Sequence, residues 1–152
     1  MSPITIGGKQ VFCGYARGKR NLIQVPIGTA EVFERLSGKF VIVTSNLAVV
    51  PGSNPALLFG WAEVGDFTSA AAAAGNIAVD ISLDSQYWIP ADVAVTEAIR
   101  GEVCALKLSG NTQQADVGTA GNAVLLITEV DIANQMVMVK IAEGKQQATA
   151  VA

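Results

Sequence analysis

From residue 22 onward the apolar residues of this chain come in short runs broken by turn residues, and that rhythm limits the fold more than any other feature. The runs cover 22–27, 40–44, 57–64, 77–83, 87–89, 103–108, 123–130 and 136–141. Each is too short for a stable lone helix and the right length for a strand. Along Ile77-Ala78-Val79-Asp80-Ile81-Ser82-Leu83 the odd positions are apolar, and two of the three even positions are polar. A strand with one face on a core reads this way. Asp80 and Asp84 are then solvent-facing acids, roughly 13 Å apart at about 3.3 Å per residue, too far to act together on one bond. The last two runs flank Asp131-Ile132-Ala133-Asn134-Gln135, whose Asp and Asn favour a hairpin turn. Strands at this frequency, with no long helical periodicity, imply an all-β fold: a small antiparallel β-sandwich or barrel. Residues 29–36, 69–74 and 95–99 offer at most a turn or two of helix each. No internal repeat is apparent, and no shift of composition marks a second domain.

The ends read differently from the middle. Residues 1–21 carry Gly7, Gly8, Gly14 and Gly18 among polar and basic side chains, which suggests an extended N-terminal arm. Residues 22–143 form the β-rich domain. Residues 144–152 are small and polar, a frayed tail or an arm that orders on a partner. The first 30 residues hold Lys9, Arg17, Lys19 and Arg20 and no acid, while the other 122 sum to −7. A basic arm thus precedes an acidic body. An acidic body argues against broad nucleic-acid binding, because phosphate affinity comes mainly from Lys and Arg.

Charged residues are only 15% against 51% hydrophobic ones, where about 25% charged is ordinary. Much of the outside is therefore expected to meet another protein. A membrane is the other sink for apolar surface. The longest uncharged stretch, residues 40–62, is interrupted by Pro51-Gly52-Ser53-Asn54-Pro55, which is turn chemistry and not a spanning helix. The first residues show no basic stretch followed by an apolar core, so no secretory signal is expected.

Chemistry is sparse. There is no histidine, which removes the commonest general base and metal ligand and every Ser–His or Cys–His pair. Cys13 and Cys104 fit no metal spacing and read as two buried or idle thiols. Ser37-Gly38-Lys39 ends like a phosphate loop, but Phe40 stands where the hydroxyl residue is needed and Phe33 where the first glycine is. Glu63 and Asp66 lack the Asp/Asn/Gly rhythm of a calcium loop. No catalytic, cofactor or metal residues are assigned, and no enzyme is expected. The candidate contacts are for protein: Lys9, Arg17, Lys19 and Arg20 on the arm, and Trp61 and Trp88 inside apolar runs. One tryptophan is expected in the core and the other at an interface.

The second half, from about Gly60 to Ile141, resembles the capsid cement, or head decoration, proteins of tailed bacteriophages. The likeness lies in the Gly/Ala-rich linker from Phe67 to Gly75, the step Tyr87-Trp88-Ile89-Pro90-Ala91, and the segment Thr96-Glu97-Ala98-Ile99-Arg100-Gly101-Glu102-Val103 before a Val/Leu-rich closing hairpin. The resemblance implies a protein made in the host cytoplasm that sits on the virion exterior and clamps neighbouring shell subunits. The implied partners are the major capsid protein and further copies of the chain itself, as a homotrimer ahead of a homodimer, without nucleic acid, membrane or cofactor.

Overall fold

A computed structural model describes residues 3–6, 9–33, 38–64, 67–69 and 75–148 of the chain. Regular structure among these residues is strand, apart from one turn of 3-10 helix at Glu97–Ile99. In chain order the strands are β1 (Pro3–Ile6), β2 (Lys9–Phe12), β3 (Gly14–Arg17), β4 (Leu22–Pro26), β5 (Val32–Phe33), β6 (Lys39–Thr44), β7 (Leu47–Val49), β8 (Gly60–Ala62), β9 (Phe67–Thr68), β10 (Asn76–Asp80), β11 (Gln86–Pro90), β12 (Val103–Ser109), β13 (Thr112–Asp116), β14 (Leu125–Asp131) and β15 (Met136–Ile141).

Two antiparallel sheets pack together as a small sandwich. The first runs β4-β10-β8-β6-β7 and the second β13-β12-β14-β15-β11-β3. β1 pairs with β2 in a separate hairpin, and β5 pairs with β9. Tight turns set the register of the long hairpins. Ser45 and Asn46 both take positive φ, 51° and 62°, the pairing of a two-residue turn whose twist matches its strands. Gly110-Asn111 joins β12 to β13 at the same place, between the partners Ser109 and Thr112.

Both sheets obey one plan, which corrects the expectation of no internal repeat. Numbering the strands within each unit, β4, β6, β7, β8, β10 and β11, β12, β13, β14, β15 both give the order 1-5-4-2-3. In both, the residue after the first strand meets the third strand in a parallel bridge, Ile27 to Ala48 and Ala91 to Ala115. The next backbone N–H then donates to the bridged alanine: Gly28 to Ala48 O at 2.8 Å and Asp92 to Ala115 O at 3.0 Å. Each sheet therefore curls until its first and third strands touch.

One core lies between the sheets and joins Phe40, Leu58 and Trp61 to Tyr87, Leu106, Leu125 and Val139. The other fills the curl of the first sheet, with Val25, Ile27, Phe33, Val41, Ile77 and Val79. Burial of each such side chain stabilises by about 1.5–3 kcal/mol.

Glutamine amides stand in where strands run out. Gln113 accepts from Phe40 N and donates to Phe40 O, both at 2.8 Å, and Gln147 does the same for Val43 at 2.8 Å. Each replaces a neighbouring strand for one residue of β6, so that its buried backbone keeps its partners.

Several expectations change. Residues 14–17 are an edge strand of the second sheet, paired with β11, not part of a free arm. Residues 145–147 are docked too: Leu58 N donates to Lys145 O, and Gln147 N to Leu58 O. Of 29–36, the described part is a turn at 29–30 and then β5, because Val32 and Phe33 gain a partner strand in β9. Most of 69–74, like Gly7-Gly8, Asp66 and residues 149–152, lies outside the described residues.

Candidate interaction site

The basic segment is strapped to the body by acids and amides. Arg17 Nε donates to Gln86 Oε1 at 3.1 Å, and Lys19 N donates to Asp84 Oδ2 at 2.7 Å. Arg20 pairs with Glu63 and lies over the Tyr15 ring, 4.7 Å from its centroid. The Glu63 hydrogen bond raises the Arg20 pKa above its ordinary value. Arg17 and Arg20 thus tie the segment to the body through their side chains, and Lys19 does so through its backbone N–H, where the sequence made all three candidate protein contacts on an extended arm. Lys9 lies on β2, in the hairpin that leads into this segment.

The two tryptophans part company. Trp61 is 2% exposed and sits in the core. Its ring stacks on Tyr87 at 4.5 Å and meets Phe40 edge-on at 4.8 Å. Trp61 is thus a core residue and not a surface contact. Tyr87 is buried with it, so the pair lines no open groove. Trp88 points the other way, as period-2 alternation requires. It is half-buried on the outer face of the second sheet beside Cys13 and Met136.

The inner end of this junction is polar. Asp80 is 1% exposed and not solvent-facing as alternation alone implied. Its Oδ2 accepts from the Tyr87 hydroxyl at 2.6 Å, and its Oδ1 accepts from Asn21 N and Ser82 N, each at 3.0 Å. β10 ends at Asp80, and the second sheet supplies the donor that makes its burial tolerable. Burial and the Asp80 bond push the Tyr87 phenol well above its usual range. It is a structural donor, not an acid or base near neutral pH.

A shallow groove of about 380 Å³ lies on the second unit, lined among others by Val103, Cys104, Asp116, Val117, Gly118 and Ile127. Asp92 brackets its edge. Its N–H donates to Ala115 O, and its Oδ1 accepts from Val117 N at 2.8 Å. This places its carboxyl beside that of Asp116, with Lys107 Nζ 3.7 Å from Asp92. Burial and the facing Asp92 carboxyl raise the Asp116 pKa. Burial pushes the Cys104 thiol up to about 12, and the Cys13 thiol likewise, so neither is an activated nucleophile. Both cysteines are free and buried. Among the described residues, no three His, Cys, Asp or Glu side chains gather as a metal site, and no helix is long and apolar enough to cross a membrane.

The open surface is apolar in places. Among the described residues, Val103, at 53% exposed, and Ile132, at 52%, are the most exposed large apolar side chains. Val103 lies opposite Leu126, and Leu126 opposite Lys140, so the three form one row across the second sheet. Sequence reasoning missed this row because the run 103–108 looked like any core strand. It missed Gln113 and Gln147 because a polar residue in a polar segment carries no local signal of burial.

No family model, curated protein or solved structure matches the chain.

Proposed function

We propose that the chain is a structural interaction protein of a virion, a cement or decoration subunit that binds the outside of a tailed-phage head shell. In that role it ties neighbouring major capsid protein subunits together and assembles with copies of itself. The observation that carries this reading is the apolar row Val103–Leu126 left open on a tightly braced β body with few charges. A surface of that kind favours a protein partner. Many weak copies of one contact, repeated over a symmetric shell, add up to a strong clamp without any chemistry. The residues support this as well: the buried Asp80 and Tyr87 are held together in a structural hydrogen bond.

The test is quantitative mass spectrometry of purified particles, comparing copies of this chain with copies of the major shell protein. A ratio near one, or a simple fraction of it, is expected. A few copies per particle would move the chain to a tail or head fibre. Absence from particles would reject the virion reading. The groove at Val103 and Asp116 would then make a small-ligand β domain the reading to test.

A further inference from the structure

The two sheets correspond rung by rung, not only in strand order. Pro26 and Pro90 each close the first strand, and the bridging residue follows at once. Gly38 and Gly101 take φ of 80° and 84° as the chain turns into the second strand of each unit. By this register the cross-strand row Phe40–Trp61–Asp80 of the first sheet matches Val103–Leu126–Lys140 of the second. The third strand also stops at the same rung in both. β7 ends with Val49 opposite Ile42, and β13 ends with Asp116 opposite Ala105. The next backbone N–H is then drawn aside by a carboxylate from the first loop of the unit: Val50 N donates to Glu31 Oε1 at 3.0 Å, and Val117 N to Asp92 Oδ1 at 2.8 Å.

One rung beyond those last pairs, Phe40 and Val103 have no third-strand partner. Backbone groups face alternate sides along a strand. Glu102 O accepts from Ile127 N on β14 at 2.9 Å, so the N–H and C=O of Val103 face away from β14, to the side that β13 has left. In the first unit the same two groups of Phe40 are met by Gln113, whose carboxamide accepts from the N–H and donates to the C=O, both at 2.8 Å. In the second unit, no loop or side chain among the described residues bonds to those of Val103. The groove of about 380 Å³ lies there, between Val103 and the departing segment from Asp116 to Gly121. Water serves both groups while the groove is open. A partner that covers the Val103–Leu126 row shuts water out, and each group left unpaired then costs about 1–3 kcal/mol.

We propose that the open edge at Val103 binds a primary carboxamide, a glutamine or asparagine side chain of a neighbouring protein, held as Gln113 holds Phe40. The opening is one rung long: Gly101 N already donates to Ile127 O, and Ala105 is paired with Asp116. One amide fills it, as in the first unit, and an added strand would gain only that same rung. A carboxamide is neutral and has its acceptor and its donor side by side. A carboxylate offers no donor to the Val103 C=O and would sit near Asp116 and Asp92, whose carboxyls already face each other; an ammonium offers no acceptor to the N–H. The groove is shallow and opens beside the exposed Val103, so the amide arrives on a protein surface and not as a free molecule. This rests on the reading of the Val103 row as a protein contact, and it adds the chemistry that the partner brings.

The test is an NMR titration of the full chain with a capped tripeptide, acetyl-Ala-Gln-Ala-N-methylamide, with its Glu counterpart, and with free propionamide. No particles are involved, so failure of the shell-binding reading and failure of this contact are separate results. The Gln peptide is expected to shift the Val103 amide signal saturably and to slow its hydrogen exchange. The Glu peptide should bind at least about tenfold more weakly, the loss of one hydrogen bond. Val103→Pro removes the N–H without removing a ladder bond, since that N–H faces the groove. It should weaken the Gln peptide about tenfold, read at the Cys104 and Gly118 signals. Where circular dichroism shows that Val103→Pro does not fold, Ala123→Leu takes its place with the same expected loss, because it fills the groove from the other side and leaves β12 intact. An unmoved Val103 signal, equal binding of the Gln and Glu peptides, undiminished binding in the folded variant, or a response to propionamide alone would overturn the proposal.

Discussion

The first unit, β4 to β10, and the second, β11 to β15, share strand order and closing bridge but differ in what their outer faces meet. The first presents Phe40, Trp61 and Asp80 to its neighbour and buries them; the second presents Val103, Leu126 and Lys140 to the outside. The comparison shows what decides whether a polar residue at one register position is tolerable. Asp80 is kept because Tyr87 reaches it from across the junction. Lys140, at the matching place, has no buried junction to satisfy.

The sharpest break of the comparison is truncation at matched positions. Trp61→Ala removes a ring packed between Phe40 and Tyr87 and should destabilise by about 4 kcal/mol. Leu126→Ala should cost about 1 kcal/mol, because its side chain is already half in water. Urea denaturation of both variants decides the matter. Equal costs would mean that the two faces are equally buried and that the comparison fails.

Matched glycines sharpen it next. Gly38 and Gly101 share a left-handed φ, so alanine is strained at either, by about 1 kcal/mol. A Cβ at Gly101 meets open space, whereas one at Gly38 presses on the Ala62 carbonyl and the Trp61 indole. Gly38→Ala should therefore cost about 2 kcal/mol more than Gly101→Ala in thermal or urea unfolding. Parity between the two would show that the junction can give way and that its packing is loose.

A third pair concerns the amide clamps on β6. Gln113→Ala leaves the buried Phe40 N and O without their partner and should cost about 2 kcal/mol. Gln147→Ala strips the same two bonds from Val43, which is half-buried and can turn to water, so about 1 kcal/mol is expected. Hydrogen exchange at the Phe40 and Val43 amides reads each loss directly.

The sequence carried the all-β class and the place of each long strand from 22 to 141, because those strands alternate or run apolar. β7 was hidden inside an uncharged stretch, and β13, Thr112-Gln113-Gln114-Ala115-Asp116, has no apolar rhythm at all. It is a strand because the Gly110-Asn111 turn folds it back onto β12, which it pairs over its whole length. The second copy of the plan was illegible for a related reason. What repeats is a proline, a positive-φ glycine and a pairing register, while the side chains changed with their surroundings: Trp61 to Leu126, Asp80 to Lys140. The basic segment looked like a free arm since Arg17, Lys19 and Arg20 lie together in sequence. Their partners Gln86, Asp84 and Glu63 are far along the chain, and only folding brings them near.

The smallest expected effect is a difference in pH response. At the closing bridge the first unit has Gly28 beside Val49, where the second has Asp92 beside Asp116. Two carboxyl groups facing each other favour holding a proton between them. Lys107 on β12 offsets the second charge only in part, at 3.7 Å and well exposed; the Cys104 thiol stays neutral until about pH 12. Because the folded Asp116 pKa lies above its unfolded value, its contribution to stability is full below the ordinary Asp range. It is lost as pH rises through the folded value. Hydrogen exchange at Val117 and Thr119 should therefore quicken, beyond its intrinsic pH dependence, as pH climbs out of the carboxylate range, while exchange at Gly28 follows the intrinsic curve. Asp116→Asn should remove the excess in the second unit and leave the first as it was. An excess that survives in Asp116→Asn, or that also appears at Gly28, would mean that the two bridges respond as one body and that the acid pair is not what sets them apart.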